Sequence, residues 1–516
     1  MTRALLFRYN GQIAVMTTLL TSLGAASAAH AQVADAPPAP AGEQPPAVAA
    51  PAAPSPDATP SPPPPAAPSA LTPEDRARLE EAEQLARIAA RKQELFEEEY
   101  AKRMQQTPFV SLEDKNFVLR APDGTYALKV GGQLQVDGRF FVNDNALEAN
   151  DTFLIRRFRP SLDATLFNLV DARLIPEFAG TVAILEAYVD VHPWPWLRLR
   201  AGKMKPPIGL ERLQNDTDLP LLERALTSNL SAQRDIGVQL WGDVADGIGT
   251  YVAGIFNGAA DGTIGDTDIN HAKEFEGRLF FQPFRAESLR GLGSLGVGVA
   301  GSTGNRKGRL PTSTAAAVTG LAPFKTGGQN NFFSYYAPAT DTTGASTTFA
   351  NQRVSRVNPQ LYYYFGPAGL LAEYVYERQG VQRGNSTTSL TNQAAHVTVS
   401  AVIGGREGYD GPTPTRPLDL KAGTWGAVEI AARYGWLKVD DETFGAGAGT
   451  TAYADPTKSA RSAQAIAGNV NLVPRRRFHL GLFFEHTQFK GGAGTAAAVT
   501  DRNTENVFVG RAQVYF

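Results

Sequence analysis

The stretch 153–258 constrains the fold more than any other part of the chain. Its residues alternate apolar and polar over several short segments, and turn residues divide the segments. In Arg157-Phe158-Arg159-Pro160-Ser161-Leu162-Asp163 one face carries Phe158 and Leu162, the other Arg157, Arg159, Ser161 and Asp163. That division follows because successive side chains of a strand point to opposite sides. Residues 236–240 repeat the pattern just as strictly. A water-soluble sheet would turn its polar face outward. A closed barrel in lipid turns it inward, to a wet lumen, and gives the apolar face to the membrane.

From Gly124 onward there is no second long helical pattern, and no apolar run approaches the roughly 18 residues a membrane helix needs. Short alternating segments continue instead. Sixteen strands are expected, at 130–142, 153–165, 171–178, 183–191, 197–204, 235–243, 249–256, 273–283, 293–302, 353–365, 369–379, 394–403, 424–438, 461–473, 477–489 and 505–516. Odd-to-even connections such as 205–234, 303–352 and 439–460 are long, and most even-to-odd ones are short, which is the loop asymmetry of an outer-membrane barrel. The connection 404–423 departs from that rule. The fold class expected is therefore all-β, a 16-stranded antiparallel transmembrane β-barrel over 107–516. Pro193, Trp194, Trp196, Tyr434 and Trp436 suit the membrane–water interfaces.

The N-terminal part divides into three. Residues 1–31 have basic Arg3 and Arg8, an apolar middle and Ala29-His30-Ala31 before Gln32, as a secretory signal peptide does. A short membrane anchor is the alternative. Residues 32–70 are almost all Ala, Pro, Ser and Thr and should form a disordered Pro-rich spacer. At 71–106 the sequence Thr72-Pro73-Glu74-Asp75 opens a charged helix with Leu79, Leu85, Ile88 and Leu95. It reads either as a short coiled coil or as a solvated helical spacer.

The absence of cysteine among 516 residues excludes disulfides, thiolate nucleophiles and cysteine-bound metals. A formal net charge of −2 gives no reason to expect nucleic acid as a partner. No G-x-S-x-G, H-E-x-x-H or P-loop motif occurs. The reading is therefore of a protein without catalytic residues, resident metal or cofactor. His479 shares an expected face with Glu485, and a serine within reach of it would revive a barrel hydrolase as a remote alternative.

Several linked pieces resemble the phosphate-selective porin O and P family. They are Arg156-Arg157-Phe158-Arg159-Pro160, Glu186-Ala187-Tyr188-Val189-Asp190, Gly202-Lys203-Met204-Lys205-Pro206-Pro207-Ile208-Gly209-Leu210-Glu211-Arg212, Leu222-Glu223-Arg224, Arg234-Asp235-Ile236-Gly237-Val238-Gln239 and Phe256-Asn257-Gly258. Weaker matches continue to the C-terminus. The resemblance implies an outer-membrane porin passing small anions, phosphate and polyphosphate included, with its N-terminal segment in the periplasm. A weakly selective general-diffusion porin is the alternative. The expected partners are small phosphate-like anions, outer-membrane lipid, two further copies in a homotrimer, and the barrel assembly machinery through the terminal Phe516.

The resemblance also implies that loop 205–234 folds into the barrel and narrows it. The pore-lining, anion-binding candidates are Lys203 and Lys205 at the loop's entrance, Arg157, Arg159, Arg198 and Arg200 on the lumen face, and Arg212, Arg224 and Arg234 on the loop. Guanidinium groups stay charged and grip phosphate oxygens in a planar fork. Two bland roles compete with anion guidance. The arginines can brace the wall by pairing with lumen acids such as Glu186 and Asp190, and the lysine segment can simply fix the loop's path.

Overall fold

Alternation becomes strand wherever one face meets lipid. The computed structural model describes residues 5–9, 12–16, 72–106, 109–113, 116–142, 149–266, 268, 270–285, 291–312, 316–445 and 451–516. The segment 1–31 lies outside these residues except for two short strands, Leu5–Tyr9 and Gln12–Met16, in a two-stranded sheet. The spacer 32–70 lies outside them entirely.

Helix α1 runs Pro73–Gln106. Thr72 starts it by accepting the Asp75 amide at 3.2 Å, and Glu74 and Asp75 stand at the positive end of its dipole. Arg78–Glu74 and Arg103–Glu99 pair along its surface at 3.2 Å each. Leu79, Leu85, Ile88 and Leu95 are exposed.

The remainder closes into an antiparallel barrel of sixteen principal strands. These are β1 Tyr126–Phe141, β2 Thr152–Leu166, β3 Val170–Glu177, β4 Ala183–Trp194, β5 Leu197–Met204, β6 Asp235–Val244, β7 Gly249–Phe256 and β8 Glu274–Phe281. Then follow β9 Gly296–Asn305, β10 Thr348–Phe365, β11 Ala368–Arg383, β12 Ser386–Ile403, β13 Ala427–Lys438, β14 Ala460–Arg475, β15 Phe478–Thr495 and β16 Glu505–Tyr515. A small hairpin, Phe109–Glu113 with Asn116–Arg120, adds to the start of β1. The seam closes where β16 pairs with β1, from Val507 opposite Phe141 to Tyr515 opposite Gln133. Phe516 completes it, exchanging two backbone hydrogen bonds of 3.0 Å with Gly132.

Outward positions form a continuous apolar surface that includes Phe153, Val189, Leu199, Phe275, Val397 and Leu482, all exposed. Such an area is too large for a water-soluble monomer but matches the lipid band of a barrel. Trp194 and Trp196 lie exposed and stacked, 5.3 Å between rings, at the turn between β4 and β5.

Two features differ from the alternation-based expectation. Strands β11 and β12 extend to a tight turn at 384–385, where a loop over 380–393 was expected. Toward this turn the pattern inverts: Val381 and Leu390 point inward and are fully buried, whereas Arg378 is exposed. Beyond the lipid the outer surface meets water, so polar residues belong outside. Second, the long connection 404–426 does not hang free at the short-turn rim. Tyr409 from this segment stacks on Tyr362 of β10 at 5.2 Å and packs with Leu210, Phe280 and Leu371.

Candidate functional site

Loop 205–234 enters the lumen directly after β5. Gly202 permits its take-off: at φ 128° a side chain there would strike Tyr188 Cα of β4 at 2.7 Å and the Ala187 carbonyl. Past Pro206-Pro207 the loop forms a one-turn helix α2, Leu210–Leu213, then a 3₁₀ turn, Leu226–Leu230. Wall residues receive the loop's backbone. Gly209 N donates to Asn358 Oδ1 at 3.0 Å, Leu210 N to Glu373 Oε2 at 2.6 Å, and Asn469 Nδ2 to Pro220 O at 2.8 Å. Tyr409 supports the loop from the opposite rim, its hydroxyl donating to Leu210 O at 2.7 Å.

A second loop, 306–347, also reaches inside. Phe324–Lys325 and Asn331–Phe333 pair as a tiny hairpin whose tip meets the wall. Gly327 N donates to Glu485 Oε1 at 2.8 Å and Asn330 Nδ2 to Glu505 Oε2 at 2.8 Å. Its aromatic rings join Leu226 and Leu230 of the first loop, Phe444 of loop 439–459 and the inward wall residues Val375, Ala394, Leu437 and Phe489 in one apolar cluster. The long-loop half of the lumen therefore holds a hydrophobic core, and wall residues such as Arg200 and Arg433 keep only 3% and 4% of their surface exposed.

The nine cationic candidates are buried or half-buried, and they fall into two groups. Six are paired with acids. Asp216 gathers Arg157 (3.2 Å), Arg224 (2.8 Å) and Arg159, which also meets Glu177 at 2.5 Å. Arg200 bonds Asp190 at 2.6 Å, Arg234 bonds Glu186 at 2.8 Å, and Lys203 pairs with Asp266. The other three have no carboxylate within 4.0 Å among the described residues. Lys205 Nζ donates to Leu213 O (3.1 Å) and Gln214 O (2.8 Å), carbonyls at the end of α2, the second of which also accepts from Arg224. Arg212 donates to Ser228 O. Arg198 lies over the Trp241 ring at 4.5 Å.

Other ionic groups were less visible in the sequence. Glu223 joins Arg139 (2.8 Å), Arg156 (2.9 Å) and Arg511 (2.8 Å), and it accepts from Gln329 of the second loop at 3.2 Å. Arg356 meets Asp261 (2.6 Å), Glu377 (2.9 Å) and Glu274, while Arg306 meets Glu274 at 3.0 Å. Asp261 and Arg306 lie in loops, where period-two reasoning assigns no face. Arg477 stands in the 476–477 turn, 5.9 Å over Tyr515.

Two of the loop's carboxylates, Asp216 and Glu223, are strongly held in the charged form. Burial opposes ionisation of Asp216, yet Arg157, Arg224 and Arg159 hold it well below the usual carboxylate range. For Glu223 burial is likewise outweighed, by Arg156, Arg139 and Arg511. His479 Nε2 donates to Arg476 O at 2.8 Å and its Nδ1 accepts from Gln513 Nε2 at 3.3 Å, and no serine is among its partners in the described residues. One trio of metal-competent side chains was found among the described residues, Glu211, Glu373 and His396, where loop 205–234 touches β11 and β12.

A profile of the family described as phosphate-selective porin O and P matches residues 128–516. No curated protein sequence matches the chain. Among solved structures, the chain resembles OmpT of Vibrio cholerae in its trimer form at 13% identity and TM-score 0.44, covering 76% of this chain and 100% of that one. It resembles the anion-selective porin of Comamonas acidovorans with the same four values. The DcaP channel of Acinetobacter baumannii aligns at 12% identity and TM-score 0.44, over 76% and 98%.

Proposed function

The chain belongs to the phosphate-selective porin O and P family and is an outer-membrane porin, and from that premise we propose a passive channel preferring small anions, phosphate and polyphosphate among them. The observation that supports the anion preference is the trio Lys205, Arg198 and Arg212, which have no carboxylate within 4.0 Å among the described residues. Local charge at a constriction sets ion preference, so a near-balanced total does not oppose it. The acid-paired candidates Lys203, Arg157, Arg159, Arg200, Arg224 and Arg234 brace the wall and the inserted loop through those pairs. Flux follows the concentration gradient, and no catalytic step is assigned. The N-terminal segment stands in the periplasm, α1 helps register a homotrimer, and Phe516 is read by the assembly machinery.

A second reading, a weakly selective general porin, draws on Glu276, Glu429 and Glu505. These buried wall acids have no cation within 4.0 Å among the described residues. Liposomes loaded with purified protein decide between the two by tracer flux of a small anion and a size-matched cation. Faster anion entry without any energy source is expected. Equal entry establishes the general porin, and faster cation entry overturns both.

A further inference from the structure

We propose that Glu211, Glu373 and His396 form a binding site for a divalent transition-metal cation of the Zn²⁺ type, which staples loop 205–234 to the barrel wall. The inference goes beyond the pore reading and does not depend on which ions the pore prefers. Glu211 sits on α2 of the loop, Glu373 on β11 and His396 on β12, and the last two are direct cross-strand partners. One ligand atom from each lies within 4.8 Å of the others. All three are buried, at 3%, 6% and 2% exposure.

His396 is arranged as metal-binding histidines are. Its Nδ1 lies 3.0 Å from Thr227 Oγ1, and that hydroxyl lies 3.1 Å from Glu373 Oε1. If Nδ1–H donates to Thr227 and Thr227 to Glu373, every contact is satisfied and Nε2 is left with a bare lone pair. That nitrogen is fully buried and has no hydrogen-bond partner. A second group that fixes the tautomer through the other ring nitrogen is the usual support of a histidine ligand. An unused buried lone pair is costly unless something arrives to take it.

Charge points the same way. Arg433 pairs with both Glu211 and Glu485 at 3.2 Å, and His396, through Nδ1 at 3.7 Å, is the only ion-pairing neighbour of Glu373 among the described residues. Glu211 and Glu485 thus share one guanidinium and Glu373 has none, which leaves a local excess that a dication cancels. Ligand bonds of about 2.0–2.2 Å put tetrahedral ligand atoms roughly 3.3–3.6 Å apart. Small side-chain rotations bring the three atoms from their present spacing to that range. One imidazole with two carboxylates suits Zn²⁺ and its neighbours, whereas Mg²⁺ and Ca²⁺ favour all-oxygen sites.

The test uses the full-length protein, purified in detergent and stripped with a chelator. It is dialysed against Zn²⁺, and bound metal is counted by mass spectrometry. One Zn²⁺ per chain is expected, with affinity falling at least about tenfold in His396→Gln and in Glu373→Gln. Far-ultraviolet circular dichroism confirms the barrel in each variant, and either variant suffices should the other fail to assemble. No Zn²⁺ above the level retained by a folded variant overturns the proposal, and so does undiminished binding in His396→Gln. Equal competition by Mg²⁺ or Ca²⁺ overturns the transition-metal assignment. The readout is bound metal and not current, so failure here is distinct from failure of the pore reading.

Discussion

Replacing Glu223 by alanine should unseat loop 205–234 while leaving the barrel closed. Its carboxylate is 2% exposed and meets three guanidinium groups at 2.8–2.9 Å. Two of them, Arg139 and Arg511, retain Asp137, at 3.2 and 2.6 Å. Arg156 loses the only carboxylate within 4.0 Å of it among the described residues. Removing one partner from a buried ion network costs about 3–5 kcal/mol, because the charges left behind are desolvated and uncompensated. At about 1.4 kcal/mol per factor of ten, the seated loop loses a preference on the order of 10²- to 10³-fold. The seam between β16 and β1 is held by backbone bonds and should persist. Two effects should appear in planar-bilayer recordings: larger and noisier single-channel conductance, and a stronger anion preference, since one negative charge has gone. Glu223→Gln, which keeps the shape, should shift selectivity with less added noise. An alanine variant with wild-type conductance and noise would refute the claim that this network fastens the loop.

Further outcomes follow from the same contacts. Gly327→Val should expel the tip of loop 306–347 and raise conductance, because a Cβ there meets the Glu485 carboxylate at 2.6–2.8 Å; unchanged conductance would remove that tip from the constriction. The pH response has a definite sign: Asp216 and Glu223 titrate below their unfolded values, so the fastening they give is complete above about pH 4–5 and is lost as pH falls through the lower folded values. Channel noise should therefore be flat from neutrality down to about pH 5 and rise only in stronger acid; a rise between pH 7 and 5 would contradict this. Deleting 71–106 should leave barrel assembly and single-channel conductance unchanged, as read by heat-modifiable gel mobility and bilayer recording, with any loss confined to trimer yield. Phosphate should block chloride current at low concentration if Lys205 and Arg212 form a shared oxyanion site; parallel currents of the two ions would leave only general anion preference.

The strand count was legible because lipid imposes a period-two pattern on each membrane-spanning strand, as at Phe158 and Leu162 beside Arg157 and Arg159. The rule failed where its cause is missing. Above the lipid Val381 and Leu390 turn inward, and in the upper lumen Val375, Leu437 and Phe489 face other loops instead of membrane. The signal for that core was present in Phe324, Phe332-Phe333 and Phe444, large aromatics in Gly- and Thr-rich loops that water would not favour. Charge identity was legible for the nine cationic candidates, but their pairing was not. Which acid reaches Arg157 or Arg234 depends on how loop 205–234 folds back across the lumen, and contacts separated by so much chain leave no local trace. The excess length of 404–426 was visible, whereas its use as a prop beneath Leu210 required the fold.

The most direct test of the central claim is the zero-current potential of the wild-type channel across a planar bilayer bearing a potassium chloride gradient. A passive anion-preferring pore sets that potential on the chloride side of zero, and Arg198→Gln with Arg212→Gln moves it toward zero. A potential on the potassium side, or one that the double variant leaves unchanged, would contradict the account.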